Sequence, residues 1–170
     1  HAEVSVSFEE AAFGCDKRIT LQDAHGQTQS LQVHIPAGID TGKSVRLKGK
    51  GNPGQGGGEA GDLQLKVQVE QKPGFERKGM DVYTTAVIPF TTAVLGGEVL
   101  VPTLYGNVMC RIREGTQSGT KIRLRGKGIV SMRNSSEYGD QYVTIQIQVP
   151  RHLNQKAREK LKEFQKACAA

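Results

Sequence analysis

Few residues in this chain have the type and spacing for chemistry. Ala37 to Ser44 (AGIDTGKS) satisfies the permissive pattern of a phosphate-binding loop, in which backbone amides at a helix N-terminus cradle phosphates. The residues that follow, VRLKGKG, are β-like and glycine-broken, so the match is read as spurious. The Gly-rich stretch at residues 54 to 58 also has no helical pattern behind it. Cys15, Cys110 and Cys168 lie far apart, and neither a C-x-x-C pair nor an H-x-x-x-H spacing occurs, so no metal site and no cofactor are expected. Cys15 follows an expected helix end rather than a helix start, where nothing lowers its pKa, and reads as a buried or idle thiol. His25 and His34 fall in a turn and a strand, and Glu9-Glu10 opens a helical turn, where negative charge suits the helix dipole. No set of acid, base and nucleophile assembles, so the chain is not expected to be an enzyme. A hydrolase with an unrecognised site stays the remotest of three readings.

The elements around these residues are organised by a duplication. Residues 42 to 51 read GKSVRLKGKG and residues 119 to 128 read GTKIRLRGKG. The match extends to Ile35–Gly38 (IPAG) against Ile112–Gly115 (IREG), and each copy is followed by a Gly-Asp pair, Gly61-Asp62 or Gly139-Asp140, that opens an alternating apolar run. Upstream, Phe8, Ala11 and Gly14 answer Phe90, Ala93 and Gly96. Two units of this size fall in the domain range and are too few for a solenoid. With 170 residues, 36% hydrophobic content, no Trp and 21 Gly, the chain suits two small cores better than one large one.

Alternation predicts strands at Ala2–Phe8, Lys17–Leu21, Leu31–Ile35, Val45–Leu47 and Asp62–Glu70 in the first unit. Asp23–Gly26 (DAHG) reads as a turn, and GKGNPGQGGGEAG as a flexible surface loop. Pro73–Gly79 reads as a hinge. The second unit has strands at Asp81–Ile88, Glu98–Val101 (stopped by Pro102), Val108–Ile112, Lys121–Leu124 and Gln141–Val149. Short helical turns lie before Gly14 and at Thr91–Leu95. After Pro150, Asn154 caps a helix over about 155–167, with Leu153, Ala157, Leu161, Phe164 and Cys168 on one face. The expected fold is all-β: two tandem small β-sandwich-like domains of repeated topology, residues 1–73 and 74–150, each with a short helix, followed by a C-terminal helix at 151–170.

The formal net charge is +6, concentrated in KSVRLKGK and KIRLRGK. These basic residues alternate with Val45, Leu47, Ile122 and Leu124, as the outward residues of half-buried strands do. Two readings of this face stand: a solvated strand surface, or a nucleic-acid-binding module that grips phosphates. Aromatic residues that could stack on bases are not interleaved with the charges. No run of about twenty apolar residues is present and no leader precedes the first strand, so no membrane segment is expected. The odd, scattered cysteines point to a reducing compartment, with the cytoplasm as default.

The order VSFEEAAFG, IPAGIDTGKSVRLKGKG, GDLQLKVQV, KPGFERKGMDVY, IPFTTAVLGGEVLVPTLYG and EGTQSGTKIRLRGKG resembles the C-terminal substrate-binding region of DnaJ-type co-chaperones over nearly the whole chain. The resemblance implies two β-sandwich-like domains and a dimerising helix. It also implies binding of unfolded polypeptide for delivery to a DnaK-type ATPase chaperone in protein folding and the stress response. The CxxCxGxG zinc-binding insertion, which the cysteine-rich class carries between the strands here at Lys17–Leu21 and Leu31–Ile35, does not occur, so the chain resembles the zinc-free class or a form lacking the insertion. The J-domain with its His-Pro-Asp tripeptide does not occur either, so the chain is expected to bind clients without stimulating ATP hydrolysis.

The resemblance places the client peptide-binding groove at Ala2, Val4, Lys17, Ile19, Leu21 and Leu65. It places Lys17 near the acidic C-terminal tail of the DnaK-type partner, and homodimer contacts at Leu153, Ala157, Leu161 and Phe164. The residues agree as far as they go. Val4, Val6 and Phe8 beside Ile19 and Leu21 are more apolar than a small sandwich face requires, and an extended peptide could add along such an edge. Ordinary core packing remains the alternative for each.

Overall fold

The computed structural model describes residues 2–22, 25–51 and 61–169. In order these form β1 (Ala2–Val6), α1 (Phe8–Phe13), β2 (Cys15–Gln22), β3 (Thr28–Ile35), β4 (Ser44–Leu47), β5 (Leu63–Val69) and β6 (Glu76–Lys78). There follow β7 (Asp81–Pro89), α2 (Phe90–Leu95), β8 (Gly97–Thr103), β9 (Gly106–Ile112), β10 (Lys121–Leu124), β11 (Gln141–Gln148) and α3 (Gln155–Ala169). Within the expected turn and loop, Asp23, Ala24 and residues 52–60 lie outside the described residues.

The two units share one topology. In the first, β1 runs parallel to β5 and β4 antiparallel to it, while β2 and β3 form a separate antiparallel pair. In the second, β7 runs parallel to β11 and β10 antiparallel to it, with β8 and β9 as the separate pair. Each unit closes a core between its two sheets. Val4, Val6, Ala11, Val33, Ile35, Ile39, Leu65 and Val67 fill the first; Ala86, Ile88, Ala93, Val101, Cys110, Ile112, Val143 and Ile145 fill the second. The alternation of apolar residues along β1, β5, β7 and β11 put these side chains on the inner faces, as a period of two demands.

Several elements run a few residues beyond their expected spans, and three differences have a clear physical cause. The first strand ends at Val6 because Ser7 caps α1: its hydroxyl accepts from the Glu10 N–H at 3.0 Å, and the Glu10 carboxylate accepts from the Ser7 N–H at 2.8 Å. Pro102 does not stop β8, which runs on to Thr103. The strand pairs only with β9, and an edge strand tolerates a residue with no N–H on its free side. Pro73–Gly79 is not a bare hinge, since it contains β6, the edge strand beside β7.

That segment packs into the first unit. The Arg77 side chain, 10% exposed, donates from Nη1 to the Ile39 carbonyl at 2.5 Å and from Nη2 to the Gly38 carbonyl at 2.7 Å. A third cluster, Phe8 and Ala12 of α1 with Val82 and Ile129, joins the units, and Phe75 and Leu104 flank it. The helix α1 therefore packs on two cores at once, through Ala11 on one and through Phe8 and Ala12 on the other.

Candidate functional site

Among the described residues, β1 and β2 each have a ladder partner on one side only, β5 and β3 respectively, which leaves the other edge of each free of a described strand. Along β2 every second side chain, Cys15, Lys17, Ile19 and Leu21, is half-buried, and the intervening ones are exposed. Lys17 spans the gap between the strands: its Nζ donates to the Ser5 carbonyl of β1 at 2.9 Å and to Glu10 Oε1 at 3.2 Å. The Glu10 pKa is lowered, first by the Ser7 N–H and then by Lys17, so the carboxylate stays charged at neutral pH. Cys15 Sγ lies 3.7 Å from Glu10 Oε2, and burial together with that negative charge pushes its pKa up, which makes it a poor nucleophile.

The six residues expected at the groove divide into two groups. Val4 (6% exposed) and Leu65 (0%) belong to the first core, where their side chains have no free surface for a ligand. Ala2 and Ile19 pack on that core while half-exposed, and Lys17 and Leu21 continue the half-exposed row. Ala2 and Val4 pair in register with Leu65 and Val67, so these four positions form the floor beneath the row.

The duplication supplies an internal comparison. Cys15 and Gly97 hold the same place, pairing with Ile35 and Ile112, so Lys17, Ile19 and Leu21 correspond to Val99, Val101 and Thr103. In the second unit Val99 is half-buried like Lys17, but Val101 and Thr103 are closed off at 1% and 9% exposure. In the first the equivalent Ile19 and Leu21 stay half-exposed, as does Lys17. Glu10 and Lys17 have no charged counterparts, since Thr92 and Val99 stand in their places.

The expected dimer stripe lies at the other end of the chain. Asn154 caps α3, accepting the Ala157 N–H at 2.8 Å on Oδ1. The stripe Leu153, Ala157, Leu161 and Phe164 faces Phe90, Val94 and Leu95 of α2 and Val149 across an apolar cleft of about 550 Å³. Leu95, Val149, Leu161 and Phe164 remain 44–72% exposed there.

The other motifs are structural. Ser44–Leu47 is a strand, so the phosphate-loop pattern has no helix behind it. Among the described residues no group of three or more His, Cys, Asp or Glu is placed to hold a metal ion, and no helix is long and apolar enough to cross a membrane. On the basic strands, Arg46 is tied to Asp62 and Arg123 to Asp140. The fold does bring aromatic rings to these charges, which sequence order does not show. Tyr142 is in register with both Arg123 and Tyr83, the two tyrosines stack at 5.3 Å between centroids, and the Lys78 ammonium lies 5.0 Å from the centre of the Tyr83 ring. These groups are engaged with one another, which weakens the nucleic-acid reading. Sequence reasoning missed Glu10 as the partner of Lys17, although Ser7-Phe8-Glu9-Glu10 carries the S-x-x-E signature that fixes the carboxylate beside β1.

Comparison with known proteins agrees with this architecture. The sequence is similar to Chaperone protein DnaJ of Lachnospira eligens (45% identity over 139 residues, 82% of this chain and 37% of the relative). It is also similar to the proteins of that name from Burkholderia thailandensis (49% over 143 residues, 84% and 38%) and Burkholderia pseudomallei (48% over 143 residues, 84% and 38%). The chain thus spans well under half the length of the curated relatives it matches. The sequence model of the DnaJ C terminal domain matches residues 1–150, which include both β units and the half-open row on β2, and the chain belongs to that family.

Proposed function

We propose that this chain is the client-binding part of a co-chaperone. Extended apolar segments of unfolded polypeptide lie along the free edge of β2, their main chain paired to the strand and their side chains taken up beside the Lys17 stem, Ile19 and Leu21, over a floor of Ala2, Val4 and Leu65. The observation that carries this reading is the contrast between the half-exposed Ile19 and Leu21 and their buried counterparts Val101 and Thr103. The same fold buries two of these positions in one copy and leaves them half-exposed in the other, and a half-exposed apolar row beside strand edges is what a peptide strand requires.

On the resemblance to DnaJ-type co-chaperones the reading extends to delivery of clients to a DnaK-type ATPase chaperone in the cytoplasm; that partner's acidic C-terminal tail, expected near Lys17, would meet the Glu10 carboxylate there as well. Residues 1–73 form the client-binding domain and 74–150 its repeat, and residues 151–170 pair two copies through α3. Burying two or three apolar side chains is worth roughly 1.5–3 kcal/mol each, which after ordering costs leaves about micromolar affinity, suited to a protein that must let go.

The test is titration of a fluorescent unfolded model client with the wild-type chain and with Ile19→Ser/Leu21→Ser. The double variant should lose binding while melting cooperatively, because both side chains are only half-buried. Unchanged affinity in the folded variant would remove β2 as the groove.

A further inference from the structure

We infer that Glu10 sets the charge preference of the β2 groove: by holding the Lys17 ammonium it cancels the cation in the row and makes the groove favour uncharged apolar segments over acidic ones. This rests on the groove reading above.

Lys17 is the cation among the four inward residues of β2, and its Nζ is engaged before any ligand arrives, 2.9 Å from the Ser5 carbonyl and 3.2 Å from Glu10 Oε1. Glu10 is fixed independently of Lys17, because the same Oε1 accepts the Ser7 N–H at the start of α1. The carboxylate is therefore held beside the groove by the helix cap and does not follow Lys17 if the ammonium turns toward a ligand. An acidic segment reaching Lys17 must share it with a second carboxylate that stays in place, and the like charges oppose its entry. A neutral apolar segment meets the lysine stem and a compensated ion pair, with no such penalty.

The duplication shows that the fold itself does not need the pair. The second unit conserves the glycine that ends the helix and the Arg-Asp lock on its β11 sheet, yet places Thr92 and Val99 where the first has Glu10 and Lys17. Both side chains are about one-third exposed, so solvent screens the effect and it should be modest, about two- to five-fold in affinity.

The substitution that isolates it is Glu10→Gln, since glutamine keeps the reciprocal cap with Ser7 and removes the charge. Two peptides would be titrated, one neutral and apolar, the other with two of its positions changed to Glu. The wild type should bind the neutral peptide better. Glu10→Gln should strengthen the acidic peptide about two- to five-fold, leave the neutral one unchanged, and lose the gain in high salt. Lys17→Met, which leaves Glu10 uncompensated, should weaken the acidic peptide by a larger factor than the neutral one; it carries the test if Glu10→Gln unfolds. Equal changes for both peptides, or none, would overturn the assignment to Glu10 while the groove stands. Neutral binding that survives Ile19→Ser/Leu21→Ser would instead overturn the groove, and the proposal with it.

Discussion

Asp140 does in the second unit what Asp62 does in the first. Asp62 accepts from the Gly49 N–H at 2.9 Å and from Arg46 Nε at 2.5 Å; Asp140 accepts from the Gly126 N–H at 2.9 Å and from Arg123 Nε at 2.7 Å. Each carboxylate ties the Gly-Lys-Gly turn and the short basic strand before it to the entry of the long strand that follows. The most similar stretch of the two copies is thus a lock, in which Arg46 and Arg123 are held by the aspartates although more than half exposed.

The lock makes stability pH-dependent in a defined direction. Both aspartates have pKa values lowered, first by the glycine N–H and then by the arginine, and Glu9 and Glu10 are lowered by Lys72 and by Ser7 with Lys17. A depressed folded pKa means the stabilisation is present in full above the ordinary carboxylate range and is lost as pH falls through the lowered values. These four groups should therefore contribute a full and constant share to the melting temperature between neutrality and about pH 5, and that share should decline below it. Asp140→Asn should flatten that acid limb. A limb of the same steepness in Asp62→Asn/Asp140→Asn would show that other carboxylates govern it.

Glycines at the same place in the two units should differ in tolerance. Gly14 (φ 75°) and Gly96 (φ 81°) end α1 and α2 in a backbone region that L side chains rarely adopt. A Cβ on Gly14 would meet the Ala37 nitrogen at 2.8 Å and the Ile35 oxygen at 2.9 Å, whereas on Gly96 the nearest atoms are the Ile112 oxygen at 3.1 Å and the Glu114 nitrogen at 3.3 Å. Gly96→Ala should cost about 1–2 kcal/mol from backbone strain. Gly14→Ala should cost more, because rigid backbone must also move. Chemical denaturation of the two variants compares them directly, and equal losses would mean strain alone decides.

Legibility followed periodicity. Strands with alternating apolar residues, the two helix-ending glycines and the Asn154 cap could be read because each signal is local. The junction between the units could not: Arg77 sits in the short mixed-charge run Glu76-Arg77-Lys78, and its partners are backbone carbonyls 38 and 39 residues away, which no side-chain pattern marks. Nor could sequence separate Val4 and Leu65, which are core, from Ile19 and Leu21, which remain half-exposed, since all four alternate alike and only the packing of the opposite sheet differs.

Arg77 should be the most sensitive charged residue to truncate. Its guanidinium is largely buried, with burial lowering its pKa against the opposing influence of Asp40 3.7 Å away. It also donates to Gly79 within β6–β7 as well as to Gly38 and Ile39 across the junction. Arg77→Ala removes charge-assisted hydrogen bonds worth about 1.5–3 kcal/mol each and leaves carbonyls without their donor. A variant that unfolds in two steps, or with a visibly smaller denaturant slope, would show the units uncoupling; loss in a single cooperative step would show that Phe8, Ala12, Val82 and Ile129 suffice to join them.

The last expectation concerns α3 and follows from the same repeat. Phe8 and Ala12 on α1 are buried, at 6% and 2% exposure, by Val82 and Ile129 of the next unit. Their counterparts on α2 are Phe90 and Val94, which line the apolar cleft that Leu153, Ala157, Leu161 and Phe164 face from α3. A helix of this length is marginal by itself in water, so its order depends on packing, yet none of its residues is fully buried here. A second copy supplying the same stripe across a two-fold axis would close both clefts at once and place two β2 grooves on one particle, raising avidity for a single unfolded chain. Sedimentation should therefore show a monomer–dimer equilibrium that depends on concentration, shifted to monomer by Leu161→Asp/Phe164→Asp. The same variant should keep single-site peptide affinity and lose the avidity for long clients. A wild-type chain that stays monomeric at high micromolar concentration would assign the cleft to α3 of its own chain instead.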